Sequence, residues 1–117
     1  MPTLAKDIEV EMTFLRPEEG GRSTPCYTGY RPQFYYDGID SDAIHTYIDT
    51  EVVNPGQTVR AYLTFFVPDY HLGKVKENME FFVREGSRTV AKGRVIKILE
   101  LEKSAAEALK RKAQKPA

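Results

Sequence analysis

Arg22 and Arg31 are the side chains of this sequence best equipped to grip a partner. Both lie in EEGGRSTPCYTGYRPQFYYDG (18–38), among Gly20, Gly21, Gly29, Gly38, Pro25 and Pro32, and beside Tyr27, Tyr30, Tyr35 and Tyr36. A guanidinium is planar, forked and permanently charged, which suits phosphate and carboxylate alike. Gly20 and Gly21 admit a backbone too tight or too positive in φ for other residues. Pro25 and Pro32 fix φ and remove donors, so the loop is held without regular pairing. Such a loop presents its arginines before a partner arrives. The competing expectation is that Arg31 pairs with Glu85 inside the fold and braces it.

Catalytic chemistry finds no comparable setting. Cys26 is the single cysteine, so neither an intramolecular disulfide nor a cysteine-rich zinc site can form. No base stands at a recognisable spacing from it, and a buried or half-buried free thiol is expected. His45 and His71 are the only histidines; they fall in different elements and lack the spacing of a helical metal site. There is no G-x-x-x-x-G-K-[S/T] loop, and no glycine pair runs closely into a helix that could cradle a phosphate. Asp40 and Asp42 sit in a polar stretch where solvated carboxylates are the ordinary outcome. The expectation is a domain that is not an enzyme, with no cofactor, metal or nucleotide.

The elements that must position the arginines are strands. IEVEMTFL (8–15) alternates Ile8, Val10, Met12 and Phe14 with Glu9, Glu11 and Thr13, the period of a half-buried strand. QFYYD (33–37), AIHTYID (43–49), TVRAYLTFFV (58–67), MEFFVRE (79–85) and TVAKGRVIKILEL (89–101) are β-branched and aromatic, with Gly93 a bulge or bend in the last. Turn signals at 17–21, 29–32, 37–42, 54–56 and 68–78 separate them. Short strands with Gly/Pro turns, and no helical spacing before residue 100, predict an antiparallel barrel or sandwich. From Leu101 onward LEKSAAEALKRKAQKPA is rich in helix formers, with Ser104 and Glu107 as a capping box. Its apolar face is thin, which predicts a loosely held basic helix or tail over 102–117, following a barrel over 1–101.

With 117 residues and 17 basic against 17 acidic side chains, one core is affordable and no global field favours nucleic acid. Any anion site must be local. MPTLAKDIEVEM lacks the apolar core of a signal peptide, and no apolar run of about 18 residues exists. A cytoplasmic protein without membrane contact is expected.

GGRSTP (20–25), GYRPQFYY (29–36), NPG (54–56) and REGSRTVAKGRVIKIL (84–99) resemble, in order and spacing from Ile8 to Leu101, the C-terminal β-barrel domain of elongation factor Tu, its domain 3. The resemblance implies an all-β fold, a closed six-stranded antiparallel β-barrel. It also implies a free-standing copy lacking the GTPase domain. In that family the barrel touches the T-stem backbone of aminoacyl-tRNA, packs against the GTPase domain and contacts elongation factor Ts. Carried over, the RNA- or partner-binding positions are Arg22, Thr24, Gln33, Glu85 and Gly86, to which the loop adds Arg31.

Departures from the pattern bear on the RNA function. The family's lysine before the proline that follows the NPG strand is here Val67, and the histidine between Arg22 and Thr24 is Ser23. A family threonine is Asp42, or Ser41 with a one-residue slip, and a carboxylate there repels a phosphate at close range. YHLGKVKENM (70–79) is longer than the family's loop. Losing a cation weakens a backbone-driven nucleic-acid complex. The leading expectation is a protein-interaction module that engages or mimics elongation factor Tu partners, such as elongation factor Ts or a GTPase domain; the alternative is weak tRNA binding.

Overall fold

A strand with Ile8, Val10, Met12 and Phe14 on one side and Glu9, Glu11 and Thr13 on the other has one face for a core and one for water. In the computed structural model, which describes residues 4–114, that strand is β1 (Ile8–Phe14), its four apolar side chains buried. The further strands are β2 (Cys26–Tyr27), β3 (Gln33–Tyr36), β4 (Ile39–Tyr47), β5 (Val52–Val53), β6 (Thr58–Phe65), β7 (Glu80–Glu85) and β8 (Arg88–Ile98). Strands β1, β6, β4, β3, β7 and β8 close in that order into an antiparallel barrel, with β2 and β5 paired beside it. The six-stranded closed barrel is therefore the fold. Closure leaves its strands no open edge.

The β3–β4 connection is tighter than the turn signals suggest. Asp37 and Gly38 take φ of 47° and 74°, the left-handed pair of a two-residue hairpin turn. Consequently β4 begins at Ile39, not after Asp42. Asp40 and Asp42 remain exposed from within the strand, so pairing costs their carboxylates no hydration. Farther along β4, His45 and Tyr47 are buried while Ile44 and Thr46 are only half-buried. Phe34 and Tyr36 point inward and Tyr35 outward, as alternation requires.

Gly93 is not the bulge. It pairs in register with Met12 and Phe81. The slips lie to either side: Val83 opposes Ala91 but Arg84 opposes Thr89, and Glu9 opposes Lys97 but Val10 opposes Val95. Val90 and Ile96 are thus the extra residues that bend β8. Gly93 supplies room, because a Cβ there would stand 2.3 Å from Phe81 Cζ. The ring admitted in this way stacks on Phe34 at 4.5 Å between centroids.

Helical structure appears before residue 100, contrary to expectation. A 3-10 turn occupies Pro17–Glu19, where Arg16 N–H donates to Glu19 Oε1 at 2.8 Å. Helix α1 (Pro68–His71) opens on a proline, a residue preorganised for a first turn. It drives His71 into the end of the barrel. There Nδ1 and Nε2 each stand 2.7 Å from a hydroxyl, of Tyr36 and Ser41 respectively, and the ring lies 4.2 Å from that of Phe65.

Helix α2 (Leu101–Gln114) is held more firmly than its thin face predicts. Leu101, Ala105 and Ala108 are buried. Ser104 is not a cap; it lies inside the helix, and its hydroxyl donates to the buried Asp7 carboxylate. Asp7 also accepts Phe65 N–H at 2.8 Å. The helix packs on α1, with Lys112 paired to Asp69. A buried polar anchor supplements the narrow apolar stripe. The tail expected beyond Gln114 lies outside the described residues. Among the described residues no helix is long and apolar enough to cross a membrane.

Candidate functional site

The site begins with a close backbone approach. A Cβ on Gly21 would lie 2.1 Å from the carbonyl oxygen of Leu15, so only glycine lets the loop fold back on the end of β1. Arg88, at the start of β8, then holds the turn: its Nε donates to Gly20 O at 2.9 Å and its Nη2 to Gly21 O. Thus anchored, the chain aims Arg22 at the end of β7.

Arg22 donates to Glu85 through Nη1 and to Thr24 Oγ1 through Nη2 at 2.9 Å, with its guanidinium 5.2 Å from the centre of the Tyr30 ring. The Tyr30 hydroxyl donates to the same Glu85 oxygen. Partial burial opposes ionisation of Glu85, yet the bonds from Tyr30 and Arg22 outweigh it and hold the carboxyl below its ordinary range. Burial pushes the Tyr30 hydroxyl up, and its bond to Glu85 adds to that, so it remains a donor. Cys26 is buried, and desolvation raises its thiol; such a thiol is a poor nucleophile.

Beside this cluster lies a depression of about 370 Å³ lined by Tyr30, Arg31, Gln33, Asp42, Arg84, Glu85 and Gly86, with Pro32 at its edge. Gln33 stands in register with Asp42 on one side and Arg84 on the other. Its Oε1 is buried and has no hydrogen-bond partner among the described residues. Arg84 leans on the Tyr35 ring at 4.3 Å and reaches Asp40 at 3.5 Å. Arg31 does not pair with Glu85; it lies 5.0 Å from the centre of the Phe66 ring. Glu85 is satisfied by Arg22 and Tyr30 instead. A larger dent, about 640 Å³, lies over Gly93 and is lined by residues such as Glu11, Glu80 and Arg94. Opposite charges face one another there in the strand register, Glu80 with Arg94 and Arg94 with Glu11, and none of the expected site residues reaches it.

Arg31, Gln33, Glu85 and Gly86 therefore share one depression. Arg22 and Thr24 adjoin it through Glu85 without lining it. Asp42, rather than Ser41, stands on this side, because Ser41 turns to His71. Tyr30, Arg84 and Arg88 belong to the site's framework and were not singled out from the sequence. Tyr30 and Arg88 flank singled-out residues within GYRP and EGSR, but only the fold shows what each one bonds. Among the described residues no group of three His, Cys, Asp or Glu side chains is placed to hold a metal ion.

The arginine-bearing loops of a closed antiparallel barrel thus meet at one rim. The family model described as the elongation factor Tu C-terminal domain matches residues 1–99. The chain belongs to that family, and its barrel is a translation-factor domain. Helix α2 lies beyond the matched residues.

Proposed function

We propose that this chain is a non-catalytic protein-binding module of the translation apparatus, docking a protein partner through the depression of Arg31, Gln33, Asp42, Glu85 and Gly86. One observation carries this reading: the cations of the rim are engaged internally while apolar side chains stand exposed next to it. Arg22 is bonded to Glu85, Arg84 to Asp40 and Arg88 to backbone carbonyls. A phosphate backbone needs available cations; here Arg31 alone of the rim arginines lacks a carboxylate or carbonyl partner among the described residues. Asp42 adds a negative charge to the same depression. Phe66, against Arg31, and the Val67 that follows it are exposed. The Gln33 Oε1, buried in the depression without a hydrogen-bond partner among the described residues, is an acceptor left open for an N–H that a small side-chain shift would admit.

The test places a photo-crosslinking amino acid at Gln33, and separately at Glu51 beyond the rim, in a translating extract. Crosslinks from position 33 to a protein of the translation apparatus, absent from position 51, are expected. Crosslinks to tRNA alone would replace this reading with the RNA-binding one.

A further inference from the structure

Four of the nine exposed large hydrophobic side chains among the described residues lie between Phe66 and Leu72. Phe66 is 47% exposed, Val67 41%, Tyr70 48% and Leu72 44%. This segment is short and rigid: Pro68 and His71 are buried, Tyr70 N–H bonds Val67 O at 3.1 Å, and Phe66 N–H bonds Asp42 O at 3.2 Å. Val67 caps the start of α1 and Tyr70 lies within its single turn. Helix α2 braces α1 from behind through Lys112 and Asp69. The apolar side chains are therefore displayed on a fixed support, not on a floppy loop.

Each exposed ring carries a cation. The Arg31 guanidinium lies 5.0 Å from the Phe66 ring centre and Lys74 Nζ 3.7 Å from that of Tyr70. Neither Arg31 nor Lys74 has a carboxylate within ion-pair distance among the described residues. The one carboxylate on α1, Asp69, is already paired to Lys112. The surface thus consists of aliphatic and aromatic groups with unpaired positive charge at Arg31 and Lys74, while Asp42 shares the Arg31 depression and Glu107 lies with Arg111 on the side towards α2. Its complement is apolar and negative.

We infer that the Phe66–Leu72 ridge, with Arg31 and Lys74, is a docking site for an acidic amphipathic segment of a protein partner. Such a segment lays apolar anchors between the rings and its carboxylates on the two cations. Single-stranded nucleic acid fits less well. Bases need free aromatic faces on which to stack, whereas each ring here has a cation over it, and Val67 and Leu72 offer a base no hydrogen bond. This inference rests on the protein-binding function proposed above and names the chemistry of the partner.

The test uses the full chain and a fluorescein-labelled peptide of about 16 residues carrying a leucine/phenylalanine stripe opposite glutamates, the pattern of a helix-in-groove ligand. Fluorescence anisotropy reads affinity, and amide chemical shifts read location. Saturable binding is expected, with the largest shifts at Phe66, Tyr70, Leu72 and Lys74. A scrambled peptide of equal composition should bind at least about fivefold more weakly, because its apolar anchors no longer share a face. Lys74→Glu and Leu72→Asp, both at exposed positions, should each weaken the stripe peptide about tenfold by placing like charge or a carboxylate against it. Equal affinity for the scrambled peptide, shifts elsewhere on the barrel, or no binding would overturn the inference. So would tighter binding of a single-stranded RNA with the same sensitivity to Lys74→Glu. Self-association of the free chain abolished by Leu72→Asp would assign the ridge to a second copy and equally overturn it. Crosslinks from position 33 to protein, together with failure of the peptide, would remove this inference and leave the proposed function standing; crosslinks to tRNA alone would remove the function itself.

Discussion

Replacing Arg22 by alanine separates a bracing role from a partner-contacting one. Its side chain is 26% exposed and that of Glu85 is 32%, so the pair lies between two limits. Fully exposed pairs contribute about 0–1 kcal/mol, and breaking a fully buried pair costs about 3–5 kcal/mol. Arg22→Ala also removes the bond to Thr24 and the cation over Tyr30. Solvent screening discounts the charged bond, and a loss of about 1–2.5 kcal/mol is expected. Arg31→Ala leaves no carboxylate behind and forfeits only its contact with Phe66, about 0.5–1 kcal/mol. Urea melts at neutral pH measure both. A double-mutant cycle of Arg22→Ala and Glu85→Ala should give a coupling of about 1–2 kcal/mol. The coupling has a sign in pH. Glu85 titrates below its ordinary value of 4.5 in the folded chain. Its contribution is therefore present above that value and lost as the pH falls through the folded pKa. A stability loss larger for Arg31→Ala than for Arg22→Ala, or coupling unchanged in strong acid, would refute the assignment of Arg22 as the internal brace.

Gly93→Val should destabilise the barrel by about 3 kcal/mol or more, since its Cβ meets Phe81 at 2.3 Å and overpacking a tight core forces strain; Phe81→Leu in the same chain should recover part of the loss in urea melts. Burial holds His45 down to about 3 and His71 to about 4. The unfolded chain takes up these protons near pH 6.5, so stability should fall by up to about 1.4 kcal/mol per pH unit for each histidine as the pH drops from about 6.5 towards 4. His71→Asn should flatten that slope in melts across the range. Leu101→Ala should cost about 2–4 kcal/mol and Ser104→Ala about 1.5–3 kcal/mol, the latter for a bond to a buried carboxylate; α2 merely resting on the surface would make both changes nearly silent in thermal melts.

Much of this protein is decided by local pattern. The alternation of Ile8, Val10, Met12 and Phe14, the aromatic run at Phe34 to Tyr36, and the glycines and prolines between them specify strands and turns, because each residue's preference is satisfied by its near neighbours. The motifs GYRPQFYY and REGSRTV also point to the rim where Arg31, Gln33, Glu85 and Gly86 meet. Pairing across the chain was not legible. Arg22 and Glu85 lie 63 positions apart, and whether Arg22 or Arg31 reaches Glu85 depends on Gly21 lying against Leu15 and on Arg88 holding the turn. Helix α2 illustrates the same limit. Its stripe of Leu101, Ala105 and Ala108 promised weak attachment, and the buried Asp7 that anchors Ser104 is 97 positions away. His71 looked like a loop residue until the barrel supplied Tyr36, Ser41 and Phe65 around it. Propensity and periodicity act over a few residues and fix which elements form. Which charges are satisfied, and which remain for a partner, is set by contacts that exist only once the barrel has closed.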